Sequence, residues 1–226
     1  MRILVVSATG MEIAPLVAAL HFVDARGSRA NRYTFMGHDV TVLTTGVGMV
    51  PTASWCSHVL AKDTYDVALN LGACGSFDRS LEPGTLVHVV SDRIAELGAE
   101  DGDRFITIQE LSLLGENEFP FAQAQLINRA PPSNPVLNAL VPVRGITVST
   151  VHGNEDSIAK IVERWNPDVE SMEGAAFMYS CLTHDTVFSQ VRAVSNLVER
   201  RDRGRWRMAE AIAALGQHSL DMLSSF

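Results

Sequence analysis

Two glutamates stand where a carboxylate can act on a bound substrate. Glu12 follows the apolar run Ile3–Val6 after a short polar turn, and Glu173 follows a second short run that begins at Val169. A carboxylate at such a strand-to-helix junction can take a proton from water or hold a hydroxyl group. An acid in the first turn of a helix is also favoured by the helix dipole alone, so neither glutamate by itself establishes chemistry.

Glycines and polar residues close other apolar runs of the chain. Gly72 and Gly75 end one run, and Arg192–Asn196 ends the last one. Ligands of open α/β sheets bind outside the carboxyl ends of the strands, where glycine lets a flat molecule approach the backbone. Gly46–Pro51 departs from a dinucleotide fingerprint because proline stands in the place of the third glycine. The patterns therefore predict a small-molecule crevice without a dinucleotide cofactor.

Apolar, β-branched runs alternate with helical patterns along the chain. Several runs are apolar at nearly every position, which predicts a sheet covered by helices on both faces, the α/β class. Ser91–Asn138 is weakly patterned and is interpreted as an insertion. The expected strands are Ile3–Val6, Val40–Thr44, Val67–Leu71, Leu86–Val90, Ile146–Val148 and Val187–Val194. Helices are expected from the first turn that carries Glu12, after Gly48, and over Ser157–Trp165, Gly174–Leu182 and Trp206–Leu223.

Length, charge and cysteine content narrow the class of protein. A length of 226 residues predicts one domain over 1–226. The formal charge of -8 argues against nucleic-acid and anionic-membrane partners, and the lack of a long apolar run predicts a cytoplasmic protein. The three cysteines lack ligand spacing, so they are interpreted as buried apolar residues without zinc or a disulfide. His152 shows no partner in the sequence and is expected to be structural or at the surface.

Five segments, taken in order, resemble the nucleoside phosphorylase/nucleosidase superfamily. The resemblance extends over nearly the whole chain, and Met172-Glu173-Gly174-Ala175 is its most specific element. It implies a three-layer α/β/α fold around a mixed, twisted sheet, no metal or organic cofactor, and a homodimer or higher homo-oligomer. The segments are Ala8–Glu12, Gly46–Gly48, Gly72–Gly75, Val169–Ala176 and Val191–Asn196.

The resemblance is greatest to the branch of methylthioadenosine/adenosylhomocysteine nucleosidases and futalosine hydrolases, and it implies a role for each segment. Glu12 would be the general base for water, with Arg192 near the water and the sugar. Glu173 would bind the ribose hydroxyls, and Met172 would pack on the sugar. The purine would contact Gly75, Ser195 and Asn196. These residue types suit N-ribosidic cleavage, whose transition state resembles an oxocarbenium ion.

Two departures from the superfamily pattern bear on the reaction. Relatives that release adenine carry Asp in place of Asn196, whereas the two donors of an amide can face N7 and a 6-oxo group, which favours hypoxanthine as the leaving base. No arginine follows soon after Gly10, where phosphorylases hold phosphate, so water is the expected nucleophile. Asn can also pair with adenine, so an adenine-releasing nucleosidase acting on methylthioadenosine, adenosylhomocysteine or aminodeoxyfutalosine stays open. A noncatalytic nucleoside-binding protein is the alternative of another class.

Softer segments favour the futalosine hydrolases within this branch, namely Leu97–Gly102, Asn117–Phe121 and the Ser195–Asn196 pair. The implied reaction converts futalosine and water into hypoxanthine and dehypoxanthine futalosine, a step toward menaquinone. The substrate tail would carry an aromatic carboxylate. The candidates to contact this tail are Trp206, Met208 and one of Arg201, Arg203 and Arg205. A solvated charged loop is the other interpretation of this arginine-rich stretch.

Overall fold

The computed structural model describes the backbone of residues 1–226 and every side chain except that of Arg203. Strands and helices alternate through most of the chain. The strands are β1 (Arg2–Ser7), β2 (His21–Ala25), β3 (Ala30–Phe35), β4 (His38–Thr44), β5 (Val67–Ser76), β6 (Leu86–Asp92), β7 (Gly98–Asp101), β8 (Arg104–Thr107), β9 (Leu126–Ile127), β10 (Val141–Thr147), β11 (Val169–Ser171) and β12 (Phe188–Leu197). The helices are α1 (Ala14–Val17), α2 (Met49–Leu60), α3 (Pro135–Asn138), α4 (Glu155–Trp165), α5 (Gly174–Thr183) and α6 (Met208–Ser224).

Most of the strands belong to one mixed sheet. Its order is β11-β10-β6-β12-β5-β1-β4-β3-β2, with β9 paired to β6. β1 runs parallel to β4 and β5, and β5 runs parallel to β12, whereas β6 is antiparallel to β12. Because β11 also pairs with β5, the strands β5, β12, β6, β10 and β11 close into a ring. The carboxyl ends of β1, β5 and β12 therefore meet on one side of the sheet.

Helices cover the central strands on both faces. Successive residues of β1 point to opposite sides, so Ile3 belongs to the core beneath α1 and α6, and Leu4 belongs to the core beneath α2 and α5. Both residues are fully buried. Strands buried on two faces must be apolar at nearly every position, as the sequence patterns indicated. The expected three-layer α/β/α fold with a mixed sheet is confirmed.

Some elements differ from the sequence expectations. Helix α1 is a single turn that begins at Ala14 beside Pro15, so Glu12 lies in the preceding turn and its expected place in the first helical turn is wrong. Helix α6 begins at Met208 instead of Trp206. The hairpin of β2 and β3 was not expected, because an edge hairpin with exposed side chains carries no continuous apolar run. Among the described residues, no helix combines the length and the apolarity that crossing a bilayer requires.

Candidate active site

The Glu12 carboxylate is fixed in one orientation by the turn that follows β1. Its Oε2 atom accepts hydrogen bonds from Ser7 Oγ at 3.1 Å, Thr9 N at 3.0 Å and Thr9 Oγ1 at 2.8 Å. Its Oε1 atom accepts from Ala73 N of β5 at 3.1 Å. Hydrogen bonds to a charged group contribute about 1.5–3 kcal/mol each, so these donors hold an anionic carboxylate at the carboxyl ends of β1 and β5.

The Arg192 guanidinium lies next to Glu12, across Gly72 of β5. A Cβ atom built on Gly72 would lie 2.9 Å from Glu12 Oε1 and would collide with Arg192 Nη1, so only glycine leaves room for both groups. Arg192 is 1% exposed. Its Nε donates to Gln190 Oε1 at 3.0 Å, and its Nη2 donates to Asn70 Oδ1. No carboxylate among the described side chains lies within 4.0 Å of this guanidinium, so its hydrogen bonds go to the neutral amides of Gln190 and Asn70.

A buried aspartate, Asp92, lies one hydrogen-bonded residue away from Arg192. Gln190 Nε2 donates to Asp92 Oδ2 at 3.1 Å, and Asp92 Oδ1 accepts from Thr147 Oγ1 at 2.9 Å. Burial raises the pKa of Asp92 to about 6, although the hydrogen bonds from Gln190 and Thr147 and the charge of Arg192 act in the opposite direction. Asp92 therefore connects to Arg192 through Gln190.

Glu173 lies at the N-terminus of α5 and is 6% exposed. Its Oε1 atom accepts from Gly48 N at 2.9 Å, and Gly48 has a φ of 99°, a conformation that glycine adopts without strain. Burial raises the pKa of Glu173, the charge of Arg192 and the Gly48 hydrogen bond oppose this, and the negative charge of Glu12 adds to it. These influences place Glu12, Arg192 and Glu173 in one electrostatic neighbourhood. Met172 precedes Glu173 and is half-buried.

A bulge in β12 sets the position of the residue expected to contact the purine. Val194 pairs with Cys74 and Asn196 pairs with Gly75, so Ser195 is the extra residue. The Ser195 hydroxyl lies 2.8 Å from Asn196 Oδ1 and 3.1 Å from the Cys74 carbonyl. Asn196 Nδ2 donates to the Leu197 carbonyl at 2.9 Å. One N–H of the Asn196 amide is therefore used within its own strand, and the other N–H is available to a ligand.

A cavity of about 550 Å³ opens beside Asn196, against the loop that precedes α6. Trp206 and Arg201 line it, and the Arg201 guanidinium lies 5.1 Å from the centre of the Trp206 ring. Arg205 also lines the cavity and forms an ion pair with Glu199 at 2.8 Å.

Not every expected site residue borders this cavity. Met208 is not part of its lining, and the side chain of Arg203 lies outside the described part of the structure. Glu12 and Glu173 are not part of the lining either, so they form a second group at the same side of the sheet. Asn196 is the expected site residue that links the two groups, because it lines the cavity and pairs with Gly75 of β5.

The structure gives His152 a partner that the sequence did not reveal. His152 Nδ1 lies 2.6 Å from Glu170 Oε2, and the backbone N–H of His152 donates to Glu170 Oε1 at 3.0 Å. Of the two expectations, structural or at the surface, the largely buried pair with Glu170 fits the structural one. One signal was available, since His152 follows the expected strand Ile146–Val148 at the same carboxyl edge as the other site residues. Ser7, Thr9, Asn70 and Gln190 were missed as well, because a polar residue within or beside a strand has no distinctive spacing.

The three cysteines are buried, as the sequence predicted. Burial raises the pKa of the Cys56 and Cys74 thiols to about 12, and it raises the pKa of Cys181 well above its ordinary value. These thiols are therefore protonated at neutral pH and are poor nucleophiles. Within the part of the chain that the structure describes, no three His, Cys, Asp or Glu side chains converge as metal ligands would.

The family follows from comparison with known proteins. The model of the phosphorylase superfamily matches residues 2–223, and the chain belongs to this superfamily, as the resemblance implied. A futalosine hydrolase from Thermus thermophilus is 28% identical over 187 residues, which cover 80% of each chain. A futalosine hydrolase from Acidothermus cellulolyticus is 30% identical over 193 residues, which cover 77% of this chain and 74% of the relative.

The fold is shared with solved structures. A 5'-methylthioadenosine/S-adenosylhomocysteine nucleosidase from Colwellia psychrerythraea, solved in complex with adenine, superposes with a TM-score of 0.80. The match covers 100% of this chain and 95% of the other, at 21% identity. At this level of identity the likeness shows the fold.

Proposed function

We propose that this chain hydrolyses the N-ribosidic bond of futalosine and releases hypoxanthine and dehypoxanthine futalosine, a step of menaquinone biosynthesis. Membership of the superfamily and the similarity to futalosine hydrolases from Thermus thermophilus and Acidothermus cellulolyticus support this assignment. The observation that carries the proposal is the Glu12 carboxylate, which accepts hydrogen bonds from three residues beside the buried Arg192. A base oriented in this way suits attack by water, whereas nucleoside binding alone does not require it.

The proposed roles follow from the charges and positions at the site. Glu12 takes a proton from water as the water attacks the ribosyl carbon. Arg192, which hydrogen-bonds to neutral groups and acts on Glu173 through its charge, orients that water and the sugar. Glu173 holds the ribose hydroxyls, and its negative charge stabilises the positive charge that develops on the sugar. Met172 packs against the ribose. No cofactor is part of this mechanism.

We assign the purine and the substrate tail to the cavity beside Asn196. The free N–H of Asn196 meets the purine, Ser195 fixes the amide, and the backbone of Gly75 lies beside the flat ring. The aromatic tail lies along Trp206, and its carboxylate meets Arg201, the arginine that stacks on that ring. Met208 does not line the cavity and the Arg203 side chain is outside the described part, so the tail is assigned to Trp206 and Arg201.

The assembly and location are part of the same proposal. We infer a single domain over 1–226, a homodimer or higher homo-oligomer, and a place in the cytoplasm, where a nucleoside and water are the substrates. The formal charge of -8 supports the absence of nucleic-acid and membrane partners.

An adenine-releasing nucleosidase is the second candidate. The specific observation in its favour is the free amide N–H and the carbonyl oxygen of Asn196, which together suit adenine as well as hypoxanthine. Purified protein incubated with futalosine, aminodeoxyfutalosine, methylthioadenosine and adenosylhomocysteine separates the two, with the released base identified by chromatography. Faster release of hypoxanthine from futalosine than of adenine from the others is expected, and the reverse order overturns the futalosine assignment.

Replacement of the general base tests the mechanism. Glu12→Gln should lower kcat by about 10²–10⁴-fold while nucleoside binding persists, because the amide keeps the shape but cannot take the proton. Glu155→Gln is the matched control, since Glu155 is also an acid near a helix N-terminus, in the first turn of α4, and is exposed. Full turnover by Glu12→Gln would mean that the base lies elsewhere.

A further inference from the structure

His152 and Glu170 form a buried pair outside the group of Glu12, Arg192 and Glu173. The side chains are 10% and 3% exposed. Both carboxylate oxygens of Glu170 are used, one by the imidazole Nδ1 at 2.6 Å and the other by the backbone N–H of His152 at 3.0 Å. The Phe77 ring packs against the imidazole with 6.2 Å between ring centres. Two anchors and one ring contact therefore fix the direction in which the imidazole points.

The pair lies directly beside the proposed purine position. Glu170 Cγ and Asn196 Nδ2 both lie within 3.5 Å of a Cβ built on Gly75. His152 lines the same cavity as Asn196. The second ring nitrogen of His152, Nε2, has no hydrogen-bond partner among the described groups and is not among the buried polar atoms that lack one. It is therefore accessible to a molecule in the cavity.

The proposed reaction leaves a requirement that Asn196 cannot meet. The purine departs with the electron pair of its bond to the ribosyl carbon, and a proton delivered to a ring nitrogen makes it a better leaving group. An amide donates a hydrogen bond but does not give up a proton near neutral pH.

Four other acids line the cavity, namely Glu82, Glu199, Asp202 and Glu210, and two of them form ion pairs. Glu199 pairs with Arg79 and Arg205, and Glu210 pairs with Arg207. Histidine is the side-chain type whose charge changes near neutral pH, and a buried carboxylate on Nδ1 compensates a positive imidazole.

The geometry points to His152 as the acid that protonates the departing purine, with Glu170 as the positioning residue that orients and charge-pairs the imidazole. This inference rests on the proposed function. As the bond between the ribosyl carbon and the purine nitrogen breaks, its electron pair goes to the purine, and the Nε2 proton of the imidazolium moves to a purine ring nitrogen. The water oxygen bonds to the ribosyl carbon, and its proton goes to Glu12. Solvent then reprotonates His152 and deprotonates Glu12.

The test compares futalosine with its N7-methylated derivative, whose purine leaves without needing a proton. His152→Gln should lower kcat for futalosine by about 10²-fold or more, with KM and inhibition by free hypoxanthine changed less than about threefold. For the methylated substrate the loss should be under about tenfold. Glu170→Gln removes the charge and leaves one acceptor oxygen in place of two, so it should show the same preference with smaller losses.

The outcomes separate this inference from the proposed function. Wild-type protein that releases no hypoxanthine from futalosine refutes the proposed function. If the wild type is active, three results for His152→Gln refute the acid role of His152. They are an unchanged kcat, an effect confined to KM, and equal losses of kcat on the two substrates. If the wild type does not accept the methylated substrate, the effect of His152→Gln on futalosine is the test. A loss in kcat supports the acid role, and an effect on KM alone refutes it. Thermal unfolding of each variant checks that it is folded.

Discussion

The close approach of Glu12 and Arg192 to Gly72 gives the sharpest prediction. The methyl group of Gly72→Ala would lie 2.9 Å from Glu12 Oε1 and would overlap Arg192 Nη1. An ordinary contact of about 3.5 Å requires the guanidinium to move by about 1 Å. The guanidinium is 1% exposed and is held by Gln190 and Asn70, so it has little room to move away. The added methyl group should therefore displace Glu12 and Arg192, the two groups that the proposed mechanism needs.

The expected magnitudes follow from this overlap. Overpacking a buried site costs about 1–3 kcal/mol, which for a chain of this size lowers Tm by about 2–12 °C. A misplacement of about 1 Å at reacting groups costs on the order of 10²-fold in kcat. The assays are calorimetric unfolding and the rate of hypoxanthine release from futalosine. Gly115→Ala is the control, because its added methyl group would meet Glu118 at an ordinary distance of 3.6 Å.

A double-mutant cycle identifies the group that the methyl displaces. Arg192→Ala removes the guanidinium, so Gly72→Ala should cost less than about 1 kcal/mol in that background. The same loss of stability in both backgrounds would show that the methyl group does not act through Arg192. Wild-type activity and Tm in Gly72→Ala would refute the whole account of this contact.

Three further predictions concern buried or site groups. Asp92 has a pKa raised by burial from 3.8 to about 6, so the folded protein binds the extra proton between these values. Its contribution to the free energy of unfolding should therefore fall by up to about 3 kcal/mol as pH rises through that window. Urea unfolding of Asp92→Asn should lack this decline, and an unchanged pH slope contradicts it. Asn196→Asp should raise the ratio of adenine to hypoxanthine release about tenfold, because a carboxyl group can both donate to N7 and accept from the exocyclic amine. An unchanged ratio in a panel of nucleoside substrates argues against contact between Asn196 and the purine. Cys56, Cys74 and Cys181 should react with a thiol reagent only after unfolding, since burial raises each pKa, and rapid labelling of the native protein would rule this out.

Local patterns were sufficient for the central elements of the fold. The expected strand Val67–Leu71 is the start of β5, which continues to Ser76. The expected Val187–Val194 likewise became Phe188–Leu197. Both strands run beyond their apolar stretch because they pair with each other past the bulge at Ser195, a contact between distant segments that no local pattern reports.

The sequence by itself determined the α/β class, the superfamily and the residues to inspect at the strand ends, because burial on two faces and strand-to-helix junctions impose patterns on neighbouring residues. Only the tertiary structure decided which of these side chains meet. Glu12 and Arg192 are far apart in the chain and lie on either side of Gly72 because β1, β5 and β12 are adjacent. His152 gained its partner Glu170 in the same way. Hydrogen bonds and charge interactions act over a few ångströms of space, and the order of strands sets those distances.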